Sequence, residues 1–201
     1  MKKLKCEKVF LFLNLGISKL QKSKLFDFFP LLLLHFTNMF ELKTLSKEAV
    51  PAALERAKHY RLLNEPGAAE SICLDILKID SDNQVALITL VLAMSDRFGK
   101  DYVVGDSRIQ DFLSQISDEY ERTYYTGIIY ERRAKSVLSR NTPGSESTAF
   151  ELFRQAMSWF EKAEAIRPIG NDDVILRWNG CARIIMSNKL EPRVMANDFI
   201  E

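Results

Sequence analysis

The chain has 201 residues, of which 47% are hydrophobic, and its formal net charge is +1. This length and composition suit one globular domain with a sizeable core, and the near-zero charge gives no overall attraction to nucleic acid. Three cysteines lie far apart without a CxxC pair, which favours a reducing compartment and predicts a cytoplasmic protein. Cys73 and Cys181 fall on apolar helical faces, where we expect them to pack as small hydrophobic side chains.

The first 38 residues differ from the rest of the chain. They contain seven lysines against two acidic residues, a net charge of +5, so the remainder carries −4. The apolar runs at 9–15 and 25–36 are each shorter than the about 20 residues that span a bilayer. Residues 1–38 are therefore a basic membrane-surface segment, an uncleaved secretory signal, or a stretch outside a natural protein that begins at Met39. We favour the third interpretation, because the pattern found downstream is missing from these residues.

Seven helices are predicted downstream, because apolar residues recur three and four positions apart. The first has Ser46 as its N-cap and Pro51 in its first turn, and the sixth follows a Pro/Gly/Ser loop at 141–147. The tail 188–201 shows no strong period. The predicted helices occupy 47–63, 68–79, 84–98, 106–116, 118–138, 148–167 and 172–187.

Two sets of small and aromatic residues repeat along these helices. The first consists of Ala57, Tyr60, Ala69, Ile76 and Ser81, and the second of Gly127, Tyr130, Ala156, Phe160, Ala163 and Pro168. Their spacing resembles that of the tetratricopeptide repeat family, whose unit is a 34-residue helix–turn–helix. The resemblance covers about residues 47–187 and is degenerate in the middle repeat, 84–116. It implies that residues 39–187 form an all-α, right-handed α-solenoid of about three to four hairpins, whose concave face binds proteins or peptides.

The resemblance also indicates which residues would line the concave face. Tyr124 and Tyr125 are the best candidates, since tyrosine buries a large area at low entropic cost, although one of them could instead pack on the preceding helix. Lys58 and Arg61 could attract an acidic peptide or form an ordinary solvated face. The complete set of candidate peptide-binding residues is Lys58, Arg61, Tyr124, Tyr125, Ile128, Glu131, Arg132, Asn179 and Arg183.

Asn179 and Arg183 are four positions apart and therefore share one helical face. Such a pair can bind a carboxylate, or it can pair with Asp172 or Asp173 and stabilise the end of the fold. We expect the second arrangement.

Signals of catalysis are weak. The only two histidines, His35 and His59, have no companions at metal-ligand spacing, and the chain contains no glycine-rich phosphate loop. The sequence therefore predicts a non-catalytic scaffold that binds a protein or peptide, with no cofactor, metal or nucleic acid. The alternative is a membrane-associated protein that docks through residues 1–38, if these belong to the natural protein.

Overall fold

The computed structural model describes residues 40–99 and 106–193. Within these ranges it contains seven α-helices and no β-strand, which confirms the predicted all-helical class. A short 3-10 helix, Lys47–Ala49, precedes the first of them. In chain order, α1 to α7 are Val50–Leu62, Pro66–Leu77, Gln84–Ser95, Asp106–Ser114, Glu119–Leu138, Ser145–Ala165 and Asp173–Ser187.

Several helix boundaries differ from the prediction. The helix α2 begins at Pro66, because proline has the φ angle of a helix and needs no N–H donor in the first turn. The helix α6 begins at Ser145, directly after Gly144 takes a left-handed φ of 80° that ends the preceding turn. Ser46 does not cap α1 through its side chain, whereas the Asp118 carboxylate accepts from the backbone N of Glu121 at 2.7 Å and caps α5.

Each helix packs against the next one in the chain. Beyond these sequential contacts, α1 packs against α3 and α3 packs against α5, so these three helices are neighbours in space as well. The helix α3 is apolar on nearly every side, and Leu87, Leu90, Val91 and Met94 are all fully buried. A helix that is hydrophobic all round lies inside a protein, and α3 accordingly has neighbours on several sides.

Two buried clusters form most of the core of the described residues. The first lies among α1 to α5 and includes Cys73 and Ile129, whereas the second lies among α5, α6 and α7 and includes Ile128 and Cys181. Ala69 and Ala163, two of the small residues that carry the resemblance, are both fully buried. The core thus has two parts, and α5 contributes to both.

The chain divides into two units, Met1–Lys43 and Thr44–Glu201, and all seven helices belong to the second. The predicted leader, 1–38, lies outside the described residues, as does the tail beyond 193. The part of the tail that is described contributes Leu190, which is buried against the cluster of α5, α6 and α7. A search of the described residues finds no helix with the length and apolarity needed to cross a membrane.

Candidate peptide-binding surface

Three tyrosines form a continuous aromatic group on the first half of α5. Tyr120 and Tyr124 stack with ring centroids 5.9 Å apart, and Tyr125 meets Tyr124 edge-on at 5.3 Å. Tyr124 also contacts the ring of Phe160 on α6 at 6.1 Å. All three tyrosines are half-buried, so packing holds each ring in place while part of it stays accessible. We call Tyr120, Tyr124 and Tyr125 the tyrosine group.

Tyr125 contributes to packing as well as to this surface. Its ring packs against both buried clusters, as the packing alternative predicted for one of the two candidate tyrosines. Burial, followed by the nearby Glu121 carboxylate, raises the pKa of the Tyr125 hydroxyl. Tyr124 is therefore the better candidate for contact with a ligand.

Asp96, immediately after α3, joins two of the predicted arginines. Its Oδ2 accepts from Nε of Arg61 at 2.8 Å, and its Oδ1 lies 2.7 Å from Nη1 of Arg132. The same Arg132 nitrogen donates to the Leu92 carbonyl at 2.8 Å and to Ser95 Oγ at 2.6 Å. Burial lowers the pKa of the Arg132 guanidinium and Asp96 opposes that effect, so the side chain is a partly desolvated cation held by fixed acceptors.

Glu131 makes the corresponding link between α5 and α7. Its side chain is only 4% exposed and pairs with Lys135 on the same helix and with Arg177 on α7, the latter at 3.5 Å. Burial lowers the pKa of Arg177, but its interactions with Tyr124 and Glu131 outweigh that effect and leave the pKa raised. Arg177 thereby connects α7 to the ion pairs of α5.

These charged side chains form a row across α1, the end of α3, α5 and α7. We call it the ion-pair row; its members are Arg61, Asp96, Arg132, Glu131, Lys135 and Arg177. Four of the six are cations and two are carboxylates, so the row has a formal charge of +2. A row with this charge excess, beside a group of fixed aromatic rings, presents both hydrogen-bond donors and apolar area to a ligand.

The structure brings together five of the predicted site residues: Arg61, Tyr124, Tyr125, Glu131 and Arg132. Two of the predicted side chains are less accessible than the sequence suggested. Ile128 and Glu131 are both buried, Ile128 within the core and Glu131 in contact with Lys135 and Arg177. Lys58 is exposed and pairs with Glu55 on its own helix at 2.7 Å.

Asn179 and Arg183 do not make the predicted pairing with Asp172 or Asp173. Asp172 instead lies 3.4 Å from Arg167, at the end of the preceding helix. Arg183 is exposed and is ten residues from Asp173 in the sequence, which is about 15 Å along an α-helix. The predicted pairing of Arg183 with these acidic residues is therefore wrong, because they lie at the far end of α7.

Asp96, Arg177 and Tyr120 belong to this surface but were not among the candidates. The predicted third helix, 84–98, places Asp96 in its interior, whereas α3 ends at Ser95. One signal was available for Asp96: it is a charged residue directly after twelve residues of α3 that contain no charge. A lone carboxylate at the end of such a helix needs a cationic partner.

Reactive and metal-binding groups are scarce in this part of the chain. Cys73 and Cys181 are fully buried, and burial raises the pKa of each thiol to about 12, so both are protonated at neutral pH. Among residues 40–99 and 106–193, no group of three or more His, Cys, Asp or Glu side chains is arranged to hold a metal ion.

Similarity to known proteins was sought in three ways. The chain was compared with protein-family models, with curated proteins and with solved structures, and none of the three gives a match.

Proposed function

We propose that this protein is a non-catalytic scaffold that binds a protein or peptide on the surface formed by the tyrosine group and the ion-pair row. The observation that carries the proposal is that one face of α5 bears both features: Tyr124 and Tyr125 lie two turns before Glu131 and Arg132, which pair with α7 and with the end of α3. Tyrosine and arginine are enriched among the residues that supply most of the energy of protein interfaces. This surface concentrates both types on neighbouring helices.

The arrangement of the helices supports a solenoid like that of the tetratricopeptide repeat family. The contacts of α1 with α3 and of α3 with α5 are those expected when the first helices of successive hairpins line one face. The close contact of Gly127 with Phe160 has the small-residue character that the resemblance implies for the third repeat. In this proposal the solenoid is right-handed, and the tyrosine group and ion-pair row lie on its concave face.

The surface is fixed before any ligand binds. Tyr124 is held on three sides by Tyr120, Tyr125 and Phe160, and Arg132 by three acceptors at the end of α3. Side chains that already occupy their bound conformation lose less entropy on association. This rigidity favours a recognition role, in which partner affinity depends on fixed complementarity.

Site-specific photocrosslinking tests the location of the binding surface. A photoreactive amino acid is placed at Lys58, which is exposed on α1 one turn before Arg61, and separately at the exposed Arg154 on α6. In extract of cells that express the protein, we expect position 58 to crosslink a discrete protein that position 154 does not. An identical set of products at both positions, or no product at position 58, would contradict the proposal.

A further inference from the structure

We infer that the ligand of this surface is an acidic protein segment, which places carboxylates on the ion-pair row and an adjacent apolar or aromatic side chain on the tyrosine group. The inference rests on the proposed binding function and names the chemistry of its ligand. Its basis is the excess of cations in the row, in which Arg61, Arg132, Lys135 and Arg177 share only Asp96 and Glu131.

The arginines retain capacity for a further acceptor. Arg61 contacts Asp96 through Nε, and its two terminal nitrogens make no hydrogen bond or ion pair with any of the described residues. Arg177 is 41% exposed and reaches Glu131 only at 3.5 Å, longer than the 2.7–2.9 Å of a strong charge-assisted bond. A ligand carboxylate can therefore bind either guanidinium without displacing an existing short contact.

The neighbouring acidic groups set the direction in which such a segment binds. Asp118 caps α5, and Glu119 and Glu121 lie in its first turn, so this end of the helix disfavours a ligand carboxylate. Glu161, on α6, is already held by the indole N–H of Trp178 at 2.9 Å. Ligand carboxylates are thus expected over Arg61 and Arg177, and apolar ligand side chains over the tyrosine group.

The charge of the rest of the chain argues against nucleic acid as the anionic ligand. Residues 39–201 carry a net charge of −4, whereas the row carries only +2. A nucleic acid is a continuous polyanion that needs many phosphate contacts, and the net negative charge of residues 39–201 disfavours its binding. A short protein segment with a few carboxylates can match the +2 charge of the ion-pair row without the long run of charges that a nucleic acid carries.

Selection from a random 12-residue peptide display library on the immobilised full chain tests this inference. We expect the selected peptides to be enriched in Asp and Glu and to bind more weakly as salt rises. One selected peptide, labelled with fluorescein, is then measured by fluorescence anisotropy. We expect Arg177→Gln to weaken its binding about tenfold and Arg61→Gln by a similar factor, whereas Arg154→Gln leaves it unchanged.

Additional variants and ligands distinguish a failure of this inference from a failure of the proposed function. Tyr124→Ala should weaken the binding of any ligand of this surface, whatever the charge of that ligand. If that variant does not fold, Tyr124→Leu replaces it, because leucine keeps most of the side-chain volume against Phe160. Neutral or basic peptides that need Tyr124 but not the arginines would overturn the inference and leave the function standing. Selected peptides that need neither Tyr124 nor the arginines, or the absence of any selected peptide, would overturn both. Tighter binding of a fluorescein-labelled dT12 oligonucleotide than of every selected peptide would also overturn the inference.

Discussion

The ring of Phe160 on α6 packs directly onto the backbone of α5 at Gly127. A Cβ atom added to Gly127 would lie 2.5 Å from Cε1 and 2.7 Å from Cδ1 of that ring, well inside van der Waals contact. We therefore expect Gly127→Ala to force the two helices apart and to lower the free energy of unfolding by about 1–3 kcal/mol. Urea denaturation followed by circular dichroism measures this change.

Gly180, in α7, is the matched control for Gly127. It too is a helical glycine, but a Cβ added there meets no atom within 4 Å. Gly180→Ala should leave stability unchanged or raise it by up to about 1 kcal/mol, the difference in helix propensity between the two residues. Equal effects of the two substitutions would show that the Gly127–Phe160 contact does not limit the approach of α5 and α6.

Ala69 offers a second test of close helix packing. It is fully buried in α2, so Ala69→Leu inserts a branched side chain where no space is open, and we expect a loss of about 1–3 kcal/mol. Ala52→Leu makes the same chemical change at an exposed position of α1 and should have little effect. A thermal melting temperature that Ala69→Leu leaves unchanged would contradict the burial of this residue.

Asp96→Asn tests the link between α1, α3 and α5. The change removes the negative charge shared by Arg61 and Arg132, and leaves the two cations close together with their mutual repulsion uncompensated. We expect a loss of about 1–3 kcal/mol in urea denaturation, since charged hydrogen bonds are lost. Asp111→Asn, at an exposed position of α4, should change stability by less than about 0.5 kcal/mol.

The same experiment in an Arg61→Gln background separates charge from packing. In that background Asp96 has only Arg132 as a cationic partner. The substitution Asp96→Asn should therefore lower the free energy of unfolding by less than it does in the wild-type protein. An identical cost in both backgrounds would mean that Arg61 and Asp96 do not interact energetically.

The two buried thiols predict a loss of stability in strongly alkaline solution. Burial raises the pKa of Cys73 and of Cys181 from 9.0 to about 12 in the folded protein. Between these values the unfolded state releases the thiol protons and the folded state keeps them, so stability falls as pH rises. Below about pH 9 both states keep the protons and the thiols contribute no pH dependence.

The measurement compares the wild-type protein with a Cys73→Ala, Cys181→Ala variant by urea denaturation at pH 8, 9 and 10. We expect the stability of the wild type to fall more steeply above pH 9, by up to about 1.4 kcal/mol per pH unit for each thiol. Parallel curves would show that the thiols are not shielded. Iodoacetamide at pH 8 should likewise modify both cysteines in urea but neither in the folded protein.

Residues 1–38 should be dispensable for the seven helices. Every described helix has a described neighbour to pack against, so we expect a protein beginning at Met39 to keep the melting temperature of the full chain. Far-ultraviolet circular dichroism and thermal melting of both proteins provide the test. A lower melting temperature for the shorter protein would show that residues 1–38 stabilise the helices.

Periodicity predicted the helices but not the contacts of their polar side chains. Apolar spacing located α3 because Leu87, Leu90, Val91 and Met94 need a common interior. The same spacing could not show that Asp96 joins Arg61 to Arg132, because these residues are 35 and 36 positions from it in the sequence. Glu131 illustrates the same limit, since its burial depends on Arg177 from another helix. Side-chain partners between distant helices follow from packing geometry, which local sequence does not contain.

Ile128 and Ile129 are consecutive in α5, yet they belong to different halves of the core. If α5 unfolded, both halves would lose packing contacts at the same time. The free energies of the two halves are thereby linked, and heating should produce one calorimetric transition with equal van't Hoff and calorimetric enthalpies. For the same reason the amide protons of α5 should exchange with solvent among the most slowly in the chain, through global unfolding.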